Sequence, residues 1–110
     1  MRQFHDQEAY EAREMRLAEE IVRCTKQALI EAGLTGEKLK AVTEDIASSV
    51  ACAVDGSTHM DRGDDHLVPI LGFAEGRVRD RLLLPEGGGS SSLHEHVFGI
   101  SRESFEGDRA

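Results

Sequence analysis

The chain has 110 residues, a formal net charge of −8 and no Trp, with 39% hydrophobic and 31% charged residues. That balance fits a globular protein rather than a disordered one, and the length fits a single domain over residues 1–110 without room for two independent cores. The acidic charge excludes nucleic acid and an anionic membrane surface as default partners, since both need a concentrated positive field, and no stretch approaches the roughly 18 apolar residues that span a bilayer.

The first residues, Met1-Arg2-Gln3-Phe4-His5-Asp6, lack the apolar run of a signal peptide, so the expected location is cytoplasmic. From Asp6 to Ala32 there is no Pro and no internal Gly, and Glu, Ala, Arg, Leu and Gln abound, which predicts a helix. Its apolar face is expected to combine Leu17, Ile21, Cys24 and Ala28 with the adjoining row Ala18, Val22, Thr25 and Leu29. Gly33 supplies the left-handed stop, with Leu34 folding back over the last turn.

Thr35 then reads as the N-cap of a second helix, and Glu37 suits the positive end of its dipole. Leu39, Val42, Ile46 and Ala53, widened by Val50 and Val54, give its expected core stripe, and Asp55-Gly56 ends it. So short a link makes the two helices antiparallel neighbours. Cys24 and Cys52 both fall in these apolar stripes and read as small buried hydrophobes, with a disulfide disfavoured in a reducing compartment.

After a polar loop, two apolar runs, Leu67–Phe73 and Val78–Leu84, separated by Glu75-Gly76, read as a β-hairpin with Pro69 confined to an edge. The segment from Glu86 to Ser92 is low-complexity Gly and Ser, the composition of a flexible connection. Beyond it, residues 93–105 admit two readings. As a strand, His94, His96, Phe98 and Ile100 share a face; as a helix, Ser92 and Glu95 form a capping box ahead of the stripe Leu93, Val97, Ile100 and Ser104. The helix is preferred, because Gly99 weakens it only by about 1 kcal/mol. The order is α-α-β-β-α: an α+β fold with an N-terminal antiparallel helical hairpin, a β-hairpin and a short C-terminal helix.

Four of the five histidines follow Ser57, and the carboxylates gather with them. His59, Asp61, Asp65 and His66, joined by His94 or His96, form the candidate divalent-metal set, since imidazole and carboxylate are ordinary ligands for such ions. The twelve residues from Asp55 to His66 do not make a calcium loop, because Met60 stands where the turn-forming Gly is needed and His66 where the bidentate Glu belongs. His94 and His96 chelate together only on a strand; on a helix they point about 200° apart. Arg77, Arg79 and Arg81 alternate along the second expected strand and form a candidate anion-binding row, or else a polar outer face. Arg62-Gly63-Asp64 matches an integrin-type tripeptide and is read as chance in a chain without a secretion signal.

Nucleophilic catalysis finds no strand-to-helix elbow around a Ser, and no phosphate loop with a following Lys. The leading expectation is therefore a non-catalytic interaction or accessory protein. With aromatics at only 5% its core is thin, which favours a homodimer or another protein partner. No cofactor is expected on this reading; the competing one is a small metal-binding protein or metal-dependent enzyme.

Overall fold

The computed structural model describes residues 2–57, 60–86 and 92–106. The elements are β1 (Arg2–His5), α1 (Gln7–Glu31), α2 (Gly36–Val54), β2 (Phe73–Glu75), β3 (Arg81–Leu84) and α3 (Leu93–Glu106). The expected α+β class and the α-α-β-β-α succession are present, with one addition, the strand β1 ahead of α1.

Local chemistry sets the helix ends. Asp6 caps α1, its side chain accepting the Ala9 N–H at 3.1 Å. At the other end Gly33, with φ +94°, lets its own N–H reach Ile30 O at 2.9 Å and the Leu34 N–H reach Leu29 O at 3.0 Å. That pair of bonds is the Schellman ending expected of a glycine followed by an apolar residue. Thr35 stands at the N-cap of α2 with its backbone in the cap conformation but without a side-chain cap bond.

The three helices run up, down, up. Glu14 of α1 bonds Ser92 and Lys26 bonds Ser104, each pair separated by 78 residues, so α1 and α3 are parallel and keep one register over twelve residues. Between them and α2 lies a core of Ala18, Val22, Ala47, Ala51, Leu93 and Val97, flanked by Leu17, Ile21, Val54, Leu71 and Ile100. Alanine on both α1 and α2 lets the backbones approach closely, while α3 contributes the larger side chains.

This arrangement corrects the expected core of α2. The buried row is Leu39, Thr43, Ala47 and Ala51, whereas Ile46 and Val50 remain 41% and 44% exposed, Ala53 is exposed and Val42 half-buried. Because α2 meets both α1 and α3, its inward direction is the line bisecting them, and that line falls on the row of small residues. Cys24 is likewise exposed and Cys52 half-buried, not buried as expected, and both are free thiols. The inward face of α1 is centred on Ala18 and Val22, and Cys24 lies about 200° around the helix from Val22.

The sheet has the order β1-β3-β2, with β1 parallel and β2 antiparallel to β3. Its strands are shorter than the apolar runs that suggested them: Leu67–Leu71 and Val78–Asp80 lie outside them. Gly76 to Arg79 is a turn, with left-handed backbone at both ends, φ +90° at Gly76 and +53° at Arg79. Consequently Arg77 and Arg79 are not strand residues; only Arg81 is, and the alternating row of three is absent. Tyr10 fastens the sheet to α1: it is fully buried, donates its hydroxyl to Leu71 O at 2.7 Å and meets the Phe73 ring edge-on at 5.4 Å.

The loop from Met60 to Leu67 contains a small hairpin of its own. Arg62 and Asp65 exchange both backbone bonds at 2.9 Å, and Gly63, at φ +57°, supplies the left-handed corner. Further on, Val68 and Pro69 lie so close to Gly56 that a Cβ there would stand 2.9 Å from each.

Candidate functional site

The first turn of α3 gathers the most unusual chemistry. A helix begins with backbone N–H groups that no residue within it can satisfy. Here two carboxylates from the other helices take them. Asp55, just past the end of α2 and 4% exposed, accepts the His94 N–H on Oδ2 at 2.9 Å. Glu14, from the middle of α1 and 1% exposed, accepts the Ser92 N–H on Oε2 at 2.8 Å. The capping-box reading assigned that last N–H to Glu95, and α1 supplies the carboxylate instead. Negative charge at this end of α3 also suits its dipole.

Each carboxylate meets an imidazole as well. The His94 ring places Nδ1 2.5 Å from Asp55 Oδ2 and 3.1 Å from Ser57 Oγ. The His96 ring places Nε2 3.9 Å from Glu14 Oε1. Burial pushes the Asp55 carboxyl up, but hydrogen bonds from the Ser57 hydroxyl and the His94 ring, followed by the backbone N–H groups of His94 and Ser57, outweigh it, and Asp55 titrates below its ordinary value. With Asp55 ionised, the ring donates from Nδ1 and leaves Nε2 as a base. Ser57 stands at Nδ1, on the wrong side of the ring to be activated by that base, so the trio is not a nucleophilic triad.

At the far end of α3 the signs reverse. Lys26 Nζ donates to Ser104 O at 3.0 Å and Ser104 Oγ at 3.1 Å, and lies 4.4 Å from the centre of the Phe105 ring. The groove between α1 and α2 is thus acidic where α3 begins and basic where it ends, which fixes the direction in which that helix lies.

The residues expected to bind a metal are distributed as follows. His94 and His96 sit on the helix α3, turned to different carboxylates. Asp61 and His66 meet across the small hairpin, Oδ1 to Nδ1 at 3.6 Å, both exposed. Asp65 pairs through its backbone with Arg62, and His59 lies outside the described residues. Among the described residues no three His, Cys, Asp or Glu side chains converge where a metal ion could sit.

Of the anion-binding candidates, Arg77 and Arg79 lie in the exposed turn before β3, and Arg81 stacks its guanidinium 4.5 Å from the centre of the Phe4 ring. A hollow of about 510 Å³ opens between α1 and β2, lined by Arg13, Arg16, Glu19, Glu20, Phe73 and Glu75. Arg13 and Glu75 pair across it at 3.0 Å.

Sequence reasoning overlooked Asp55 and Glu14. A signal for Glu14 was present: Tyr10, Glu14, Ala18 and Val22 recur every fourth residue, and a lone carboxylate in an otherwise apolar row is either misplaced or bonded. Among the described residues no helix is long and apolar enough to cross a membrane. No protein-family model matches the chain, and no curated protein or solved structure is significantly similar to it.

Proposed function

We propose that this chain is a non-catalytic interaction module that acts as a homodimer through the outer face of α2. The observation that carries this reading is the stripe Ile46, Val50 and Ala53, at spacings i, i+4 and i+7, facing solvent on a helix whose adjacent row is already buried. The stripe runs to the end of α2, where Val68 and Pro69 lie against Gly56, in a segment whose Leu67, Val68 and Ile70 are exposed as well. A patch of this kind marks an association surface. The carboxylate–imidazole pairs are assigned a structural task, holding α3 in place. Two free cysteines are consistent with a reducing, cytoplasmic setting.

Sedimentation of the full chain tests this. The expected result is a dimer that Ile46→Glu/Val50→Glu converts to a monomer with unchanged helical circular dichroism. A wild-type chain that stays monomeric at high concentration would overturn it. The metal-dependent reading draws on the Asp61–His66 pair; native mass spectrometry with added zinc, manganese or nickel favours it if a stoichiometric ion is bound and is lost in His66→Ala.

A further inference from the structure

The end of the sheet where β1 and β3 begin collects four arginines, on a chain whose net charge is −8. Arg2 opens β1, Arg81 opens β3, and Arg77 and Arg79 lie in the turn leading into β3. We propose that this end of the sheet is a binding site for a small multivalent oxyanion, a ligand carrying two or more neighbouring phosphate or carboxylate groups. The proposal is independent of the dimer reading.

Three observations carry it. The first is the lack of countercharge. All four side chains are exposed, and none has a carboxylate partner among the described residues; Arg16, Arg62 and Arg102 lack one too, so what sets these four apart is that they gather at one end of one sheet. In so acidic a chain, leaving four guanidiniums unpaired at one spot is unexpected. Two carboxylates lie close by. Glu75 is held by Arg13, and Asp80 keeps Oδ1 beside Gly76, 3.2 Å from where a Cβ would stand, while its backbone oxygen accepts the Arg2 N–H at 2.9 Å.

The second observation is the register. Arg2 and Arg81 are direct partners across the β1–β3 ladder, so the fold places two like charges side by side, which is unfavourable, and Glu75, the partner of Arg81 on its β2 side, is already held by Arg13. The Arg81 guanidinium lies over the Phe4 ring, 4.5 Å from its centre, a contact that leaves its N–H groups without a carboxylate partner among the described residues, and a guanidinium can hold an oxyanion through two of them. The third is Arg79 itself. It holds φ +53°, a left-handed conformation that a non-glycine residue adopts at a cost, and glycine would fit there better on stability alone. The net negative charge of the whole chain repels a long polyanion, but screening over about 8 Å at physiological salt hides it from a small ligand docked at the arginines. Hence the ligand is small rather than a nucleic acid.

The test is a nuclear magnetic resonance titration of the full chain at physiological ionic strength with pyrophosphate, citrate and a DNA oligonucleotide. Pyrophosphate or citrate should shift the amides of residues 2–4 and 76–82 saturably, the tighter of the two identifying the phosphoryl or carboxylate class. Arg77→Gln/Arg79→Gln should weaken that binding at least about tenfold at an unchanged thermal midpoint, and Arg79→Gly should weaken it while raising the midpoint. Shifts spread evenly over the surface, undiminished binding in the double variant, or DNA binding more tightly than either small anion would overturn the proposal.

Discussion

Asp55 holds His94 at two points with a single oxygen: Oδ2 accepts the backbone N–H at 2.9 Å and meets the ring Nδ1 at 2.5 Å. Through that oxygen the end of α2 is tied to the start of α3, although 39 residues separate them. Asp55→Ala leaves the part-buried His94 N–H without its acceptor, and the expected loss is about 1–3 kcal/mol, read by urea denaturation. The charge has a pH signature of its own. A carboxyl that titrates lower when folded contributes stability that is present above its unfolded value and disappears as pH falls through the folded one. The wild type should therefore lose stability below about pH 4, and Asp55→Asn should show a shallower acid slope.

Two hydroxyls in the helical core, Thr43 Oγ1 and Ser101 Oγ, are buried without a hydrogen-bond partner among the described residues. Removing such a group relieves a desolvation penalty without breaking a bond. Thr43→Val and Ser101→Ala are each expected to stabilise the protein by about 1 kcal/mol, seen as a higher thermal midpoint with unchanged secondary structure.

Gly33 and Gly56 both end helices at positive φ, +94° and +85°, but their surroundings differ. A Cβ on Gly33 meets open space, whereas on Gly56 it would stand 2.9 Å from Pro69 O and from Val68 Cγ1. Both alanine variants carry the left-handed strain of about 1–2 kcal/mol. Gly56→Ala should cost more than Gly33→Ala and displace the Val68–Pro69 segment, which denaturation and amide shifts in that segment would report.

Cys24 is exposed and Cys52 half-buried. A native thiol-labelling time course should therefore be biphasic, Cys24 reacting first. Cys24→Ser removes the fast phase and leaves stability within about 0.5 kcal/mol of the wild type, as for a surface substitution.

What could be read from the sequence was local. The end of α1 at Gly33, the second glycine stop at Gly56, the preference for a helix after Ser92 and the α+β class all follow from residues a few positions apart, whose bonds close within one turn. Only the tertiary structure decided which of two adjacent apolar rows on α2 faces inward. Ile46 and Val50 are the more hydrophobic choice, but three close-packed helices need the slimmer Thr43–Ala47–Ala51 row at their centre. The same holds for the clamp on α3. In the sequence Asp55 reads as part of an Asp-Gly stop, and Glu14 is one of several carboxylates along α1. Each acquires its task only when docking brings it to N–H groups 39 and 78 residues further along the chain. Strand β1 was missed for a related reason. Four residues have too few side chains to declare a strand, and β1 exists because β3 offers Arg2–His5 a parallel edge to bond.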